Sequence, residues 1–361
     1  MGGRDLSCYS ESYREARTKL LAESANAGLP VISYMLPRLR GPEHEELATD
    51  IVEIIPASAT RLVIVSTGVH GIEGYAGSAV QVEALRQGLL ANLPDGTGAA
   101  LVHGVNPWGM AHYCLANEDN IDINRNFLPA FEAAAPAGGI DPARTGGDIV
   151  SGESTHRSAG GNPERGLAGD LHAALSRGQH ANRYGLFFGG HKPAWSNTTW
   201  RGILARYARG GCRRIIHVDI HTGPGTHGRA ELICNFPQGT PAFDRARTIW
   251  GDAAIPPAAG GPPAPSAPTG SLASTLPDYA TSITVEFGTK PVDEVLIALI
   301  HANRAFADGF RDQKLRARAM RLMRDAFCPD DRAWCRSVID QSFGVIRKAV
   351  DGFQAVDTRP P

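Results

Sequence analysis

Short, uninterrupted apolar runs that alternate with helical patterns are the strongest constraint on the fold of this chain. Residues 62–66 (LVIVS) and 99–105 (AALVHGV) lack the polar and apolar alternation of a strand with one face in water. Such runs are typical of strands buried on both faces of a parallel or mixed sheet. Between them, residues 77–90 carry apolar side chains at helical spacing. This alternation predicts a layered α/β fold.

The rest of the chain fits the same organisation. Further strands are predicted at 30–36, 48–55, 214–220, 231–236 and 282–287, and further helices at 5–26, 167–177, 200–208, 241–250 and 292–306. We expect an irregular Gly/Pro-rich insertion at about 129–166, close to the functional site because long loops are commonly functional. The proline-rich residues 255–269 are expected to be irregular. Because no repeat or clean linker is visible, we predict a single domain over residues 1–361, with a helical carboxyl-terminal appendage from about residue 312.

Composition excludes several classes of protein. With 36 Lys and Arg against 37 Asp and Glu, the net charge of −1 predicts neither a nucleic-acid partner nor an anionic membrane surface. No apolar stretch approaches the roughly 18 residues of a membrane helix, and the polar first residues lack the apolar core of a secretory signal. The six cysteines form no close C-x-x-C pair, so we interpret them as mostly reduced residues of a cytoplasmic protein. Cys328 and Cys335 are the pair to consider for a disulfide, and the sequence leaves their pairing open.

Polar, glycine-flanked clusters follow apolar strands at several places. The clusters are HGIEG at 70, NEDNIDINRNF at 117, DIHTGPG at 219 and VEFGT at 285. In open α/β sheets, ligands bind beyond the carboxyl ends of the strands. We therefore expect these clusters to converge on one site.

The residue types in the clusters suit a catalytic metal. Zinc in such a site takes three protein ligands of N or O type and keeps one position open. His70 and Glu73 are candidates for two ligands, and His221 for the third. Glu286 then remains as a carboxylate that takes a proton from water. Arg125, between two asparagines, offers a fork of donors for a substrate carboxylate.

Each of these patterns also has an ordinary structural interpretation. The H-x-x-E spacing alone is weak and is compatible with a polar turn between a strand and a helix. Asp219 with His221 fits a hydrogen-bonded pair at a strand end, Glu286 fits a salt-bridge partner, and the Asn-Arg-Asn run fits a capped turn. His217 shares a strand face with Asp219 and His221, and we interpret it as a structural neighbour rather than a ligand.

Taken in order, the motifs resemble the zinc carboxypeptidase superfamily, especially its bacterial DUF2817-type branch, which is related to the aspartoacylase and succinylglutamate desuccinylase-like deacylases. The matching motifs are H-x-x-E at 70–73, N-P-x-G at 106–109, D-x-N-R-N-F at 122–127, D-x-H at 219–221 and a late glutamate at 286. The stretch GLFFGG at 185–190 is similar as well, and the resemblance spans about residues 30–300.

The resemblance implies a three-layer α/β/α sandwich with a mixed sheet of about eight strands. It implies one zinc ion, held by three side chains: His70, Glu73 and His221. It also implies Glu286 as the general base, and Asn124 with Arg125 as the residues that hold a terminal carboxylate.

The sequence departs from the family pattern at two positions. An arginine that stabilises the oxyanion precedes the D-x-N-R-N-F motif in the family, and here Cys114 and Leu115 stand in that region. We consider His112, His191 or an arginine of the insertion as replacements, and Tyr279 as a candidate for the family's substrate-capping tyrosine. Asp219 is a further candidate site residue.

Together, these patterns predict a zinc-dependent hydrolase of an amide bond in a small carboxylate-bearing substrate, such as a short peptide or an amino-acid conjugate. A deacylase of N-acyl amino acids, of the aspartoacylase type, is the alternative within this class. Two hypotheses from other classes are a binding protein that retains the metal without catalysis, and a fold that holds no metal. The sequence specifies no oligomeric state.

Overall fold

The computed structural model describes residues 6–131, 178–256 and 270–357. Its strands form one mixed sheet: β1 Val31–Arg40, β2 Glu46–Ile54, β3 Arg61–Thr67, β4 Thr97–His103, β5 Arg214–Gly223, β6 Ala230–Cys234, β7 Ala254–Ile255 and β8 Ala280–Gly288. Its helices are α1 Tyr13–Asn26, α2 Gly74–Arg86, α3 Pro107–Ala111, α4 Trp195–Arg209, α5 Pro241–Trp250, α6 Val292–Ala307, α7 Gln313–Phe327 and α8 Arg332–Asp357.

The centre of the sheet is parallel, and an antiparallel pair joins it to the outer strands on each side. The strand order is β1-β2-β4-β3-β5-β8-β6-β7. Strands β4, β3, β5 and β8 run parallel, whereas β2 is antiparallel to β4 and β6 is antiparallel to β8. The carboxyl ends of the four central strands therefore meet at one edge, where α/β sheets commonly bind ligands.

Both faces of the sheet are covered, which explains the uninterrupted apolar runs. Along β3, Val63 and Val65 belong to one apolar cluster, and Leu62 and Ile64 belong to another on the opposite face. The first cluster includes side chains of α2 and α8, and the second includes side chains of α4. This arrangement confirms the predicted three-layer α/β/α sandwich with an eight-stranded mixed sheet.

The last two helices pack into the core rather than extending from it. Trp334 of α8 is 1% exposed, and its Nε1 donates to the Gly288 carbonyl at 2.9 Å, at the end of β8. The amino-terminal region lies against the same helices, because the Tyr9 hydroxyl donates to the Cys335 carbonyl at 3.0 Å and Arg324 donates to the Ser10 carbonyl at 2.8 Å.

Some predicted boundaries change for local reasons. Helix α1 begins at Tyr13 because the Ser12 side chain caps it, and α2 begins at Gly74 because the 3₁₀ turn Gly71–Glu73 runs directly into it. The predicted insertion falls almost entirely outside the described residues, as does most of the proline-rich segment. The predicted helix at 167–177 lies wholly outside them.

The cysteines are all free thiols and all buried, so Cys328 and Cys335 are not paired. Within the described ranges, no helix is long and apolar enough to cross a membrane.

Candidate metal centre

The turn that follows β3 carries the first two candidate ligands, His70 and Glu73. Gly71 lies so close to α3 that a Cβ atom there would meet the Gly109 carbonyl carbon at 2.1 Å, and glycine is therefore required. The backbone of the turn is fixed by a hydrogen bond from Gly71 N to the Leu115 carbonyl at 3.1 Å. Cys114 and Leu115 stand where the family carries its arginine, and their backbone carbonyls support this turn.

The structure brings three candidate ligands together. Nδ1 of His70 lies 2.8 Å from Glu73 Oε1, and Nδ1 of His221 lies 2.8 Å from Glu73 Oε2. One ligand atom of each residue lies within 4.8 Å of the others. In a tetrahedral zinc site with ligands about 2.1 Å from the ion, the ligand atoms are roughly 3.4 Å apart. A small outward movement of these side chains would therefore accommodate such an ion.

A buried carboxylate holds the second ring nitrogen of each histidine. Nε2 of His70 lies 3.2 Å from Asp122 Oδ1, and Nε2 of His221 lies 2.8 Å from Asp219 Oδ2. Histidines that bind metals nearly always donate their other N–H to such a group, which fixes the ring and its tautomer. The donor set therefore fits a divalent metal. Local sequence patterns do not predict this role for Asp122, although its place in the D-x-N-R-N-F motif is a signal for it.

Opposite charges dominate the electrostatics of the centre. Burial opposes protonation of His70, but the charges of Glu73 and Asp122 outweigh it and raise its pKa to about 9. Burial opposes protonation of His221 as well, and Asp219 and Glu73 raise its pKa well above the ordinary value. The pKa of Asp122 falls to about 2 despite its burial, because Arg125 and His70 favour the carboxylate. A metal ion must therefore displace protons to bind here.

Glu286 stands beside the three candidate ligands on the neighbouring strand. It pairs with His221 in the register of β5 and β8, so both side chains leave the same face of the sheet. Gly223 makes room for its carboxylate, since a Cβ atom there would lie 2.8 Å from Glu286 Oε1. Burial, together with the charge of Glu73, raises the pKa of Glu286 to about 7.

Asn124 and Arg125 lie on a 3₁₀ turn that Asp122 caps through a 2.8 Å hydrogen bond from the Asn124 backbone N–H. The Arg125 guanidinium donates to the Asn124 carbonyl at 3.0 Å, and it lies 3.7 Å from Asp122 Oδ2 and 5.8 Å from the centre of the Phe187 ring. The Asn124 side-chain oxygen accepts from the Leu272 backbone at 2.9 Å. Asp122 therefore links these two residues to the His70 side of the metal centre.

The remaining candidates do not join this cluster in the described part of the chain. His112 stacks on Trp108 with ring centres 4.3 Å apart, and burial lowers its pKa to about 4. His191 is exposed and donates to the His180 carbonyl at 2.7 Å. Tyr279 immediately precedes β8. Seven residues of strand place it roughly 23 Å from Glu286, at the opposite edge of the sheet.

Solved structures are similar to this chain at low sequence identity. Bovine thrombin-activatable fibrinolysis inhibitor, in complex with tick carboxypeptidase inhibitor, is 12% identical over 97% of this chain and 98% of its own, with a TM-score of 0.52. Carboxypeptidase A from Helicoverpa armigera is 14% identical over 88% of this chain and 76% of its own, with a TM-score of 0.45. Succinylglutamate desuccinylase from Chromobacterium violaceum is 16% identical over 90% of this chain and 76% of its own, with a TM-score of 0.38. At these identities, the first similarity shows a common fold and nothing further.

The comparison with protein families confirms the resemblance noted in the sequence. No curated protein matches the chain by sequence. Residues 9–341 match a family described as "Protein of unknown function (DUF2817)". Because this match covers most of the chain, the chain belongs to the DUF2817 family.

Proposed function

We propose that this protein is a zinc-dependent hydrolase that cleaves an amide bond in a small carboxylate-bearing substrate, such as a short peptide or an amino-acid conjugate. The observation that carries the proposal is the convergence of two Nδ1 atoms on the Glu73 carboxylate, with Glu286 one strand away. A purely structural pair of histidines would not call for a further carboxylate beside it with a pKa of about 7.

His70, Glu73 and His221 would hold the metal. When bound, such an ion supplies Lewis acidity and acidifies water at its open position. Nitrogen and oxygen donors suit zinc, and the two buried aspartates that hold the histidine rings favour tight binding.

Glu286 is the group we assign to proton transfer. A catalytic acid or base works best when its pKa is close to the working pH, and the pKa of Glu286 is about 7. Its carboxylate takes the proton from the attacking water and returns it to the nitrogen of the leaving amine. This sequence breaks the amide C–N bond and forms a carboxylate and an amine.

Arg125, with Asn124, would recognise the substrate carboxylate. A guanidinium binds a carboxylate through two parallel hydrogen bonds, which gives orientation as well as affinity. The contacts of Arg125 with Asn124 and Phe187 limit its movement and would lower the entropy cost of that binding. We further propose a cytoplasmic location, because six free cysteines fit a reducing compartment.

The decisive experiment is turnover by the zinc-loaded protein. Short peptides and N-acyl amino acids would be assayed beside the same compounds with the carboxylate converted to an amide. We expect hydrolysis of the carboxylate-bearing compounds and not of their amides. Hydrolysis of the peptides would indicate peptide cleavage, and hydrolysis of the N-acyl amino acids would indicate deacylation. If zinc-loaded protein binds these compounds and turns over none of them, the proposed activity is wrong and a binding function is favoured.

A further inference from the structure

A chain of buried hydrogen bonds extends from His221 into the sheet, away from the candidate metal centre. Beyond His221, Asp219 Oδ1 accepts from the Ser66 hydroxyl at 2.5 Å. The Ser66 oxygen lies 2.8 Å from Nε2 of His217, and Nδ1 of His217 lies 2.9 Å from the Ser282 hydroxyl. Ser66, His217 and Ser282 are each fully buried.

The register of the strands explains how these residues meet. Ser66 on β3 is the partner of Asp219 on β5, and Ser282 on β8 is the partner of His217 on β5. Residues 217, 219 and 221 alternate along one strand, so their side chains share one face of the sheet. The Trp200 ring lies 5.5 Å from the His217 ring on this face and helps to exclude water.

The direction of each hydrogen bond follows from the number of protons available. An ionised Asp219 can only accept, so the single Ser66 proton goes to it. The Ser66 oxygen must then accept from His217, which places the His217 proton on Nε2. His217 Nδ1 is left as the acceptor for the Ser282 hydroxyl. Burial lowers the pKa of His217 to about 4, which agrees with a neutral ring.

The far end of the chain is compatible with the same direction. The Asn235 side-chain amide lies 3.4 Å from the Ser282 oxygen and can donate to it after Ser282 has donated to His217. At the near end, Asp219 Oδ2 accepts from Nε2 of His221, which leaves Nδ1 of that ring toward Glu73. If every hydrogen bond ran in the opposite direction, Ser66 would donate to His217, and its oxygen would face the Asp219 carboxylate without a proton between them.

We propose that Ser66 and His217 are positioning residues for the candidate metal centre. His217 fixes the rotation of the Ser66 hydroxyl, Ser66 fixes the Asp219 carboxylate, and that carboxylate keeps Nδ1 of His221 directed at the metal position. This inference rests on the metal site proposed above. It assigns a role to a histidine that is not itself a ligand and lies two hydrogen bonds beyond Asp219.

Another buried serine and histidine in the protein provide matched controls for this proposal. His103 on β4 is also fully buried, also has a pKa of about 4, and has its Nε2 2.9 Å from the hydroxyl of Ser78 on α2. Ser66→Ala and His217→Leu would therefore be compared with Ser78→Ala and His103→Leu, which remove the same groups elsewhere. His217→Gln is the conservative variant, because its amide N–H can replace the Nε2 donor.

The first measurement is zinc affinity, by competition with a chelating dye, together with the visible absorption of the cobalt-substituted protein. We expect Ser66→Ala and His217→Leu to weaken zinc binding at least about threefold and to alter the cobalt spectrum. The effect should be smaller than the ten- to hundredfold that loss of a carboxylate next to a ligand costs. His217→Gln should restore both readouts, and the Ser78 and His103 variants should leave them unchanged. Wild-type affinity in Ser66→Ala and His217→Leu would overturn the proposal.

A second measurement does not depend on the metal. Nitrogen-15 spectra of histidine-labelled, metal-free protein should show His217 neutral with its proton on Nε2. A proton on Nδ1, or a charged ring at neutral pH, would overturn the proposed direction of the chain. Absence of zinc binding by the wild-type protein would instead contradict the proposed function, and the nitrogen spectra would still decide the hydrogen-bond chain.

Discussion

His221 and Glu286 are register partners on adjacent parallel strands, so a candidate metal ligand and a candidate proton acceptor leave one face of the sheet side by side. Neighbouring strands lie about 4.8 Å apart, a separation that is fixed by backbone hydrogen bonds rather than by flexible loops. The relative position of these two groups is therefore as rigid as the sheet itself, which is the condition that a proton transfer beside a metal requires.

Glu286→Gln should reduce turnover by about a hundredfold or more, because the amide cannot accept the proton of the attacking water. Zinc content should stay the same, since Glu286 is not among the three candidate ligands. Glu294→Gln is the control, because Glu294 is exposed on α6. Equal activity of the Glu286 variant and the wild type would contradict the role of Glu286.

Substitution of a candidate ligand should remove the metal. His70→Ala and His221→Ala should each lower zinc content, measured by mass spectrometry after metal-replete expression, from about one ion per chain to a small fraction. His191→Ala is the control, because His191 is exposed and donates to the His180 carbonyl. Full zinc content in both ligand variants would place the metal at another site.

The stability of the metal-free protein should fall as the pH rises from about 6.5 to 9. The pKa of His70 is about 9 in the folded protein and close to 6.5 in an unfolded chain, so the folded state binds more protons in this window. The stabilisation from protonated His70 is complete below pH 6.5 and is lost as the pH rises through 9. Thermal melting across this range measures the effect, and His70→Gln should flatten the slope.

Zinc should oppose this pH dependence, because metal and protons compete for the same ring nitrogens. The rise in melting temperature on adding zinc should grow between pH 6.5 and 9. A rise that is independent of pH would show that the metal does not displace protons from these histidines.

Arg125→Lys should reduce selectivity for the carboxylate. A lysine keeps the charge and loses the two parallel donors, so KM for a carboxylate substrate should rise about tenfold while the amide analogue changes little. Arg201→Lys is the control, because Arg201 donates to Asn197 at 2.8 Å on α4. Unchanged KM ratios between the two substrates would rule out this role for Arg125.

Trp334→Ala should destabilise the protein by about 3–5 kcal/mol, the usual effect of truncating a large buried aromatic side chain. The variant also loses the hydrogen bond to the Gly288 carbonyl, which joins α8 to the end of β8. Denaturant unfolding measures the change, and Trp195→Ala, at a partly exposed position on α4, should cost far less. A loss below 1 kcal/mol would show that α8 is not essential to the core.

The sequence predicted the strands that carry the site but not how the strands meet. The uninterrupted run before His70 and the position of His221 at a strand end both followed from local pattern. The contact between Asp122 and His70 did not, because it depends on the path of the chain between them. The pairing of Ser66 with Asp219 depends on the register of β3 and β5, which no local pattern specifies. The sequence also suggested Tyr279 as a site residue. The structure places it before β8, whereas Glu286 lies near the carboxyl end of that strand.

The contact between Tyr9 and Cys335 has a consequence for the order in which the fold forms. These residues are 326 positions apart, yet one donates to the other. During synthesis from the amino terminus, the Tyr9 hydroxyl cannot reach the Cys335 carbonyl until α8 has left the ribosome. The Gly288 carbonyl at the end of β8, two residues after Glu286, also gains its hydrogen bond from Trp334 only after α8 has been made. Loop closure over this distance slows folding, so we expect the nascent chain to gain its metal-binding geometry late, after its last helix has docked.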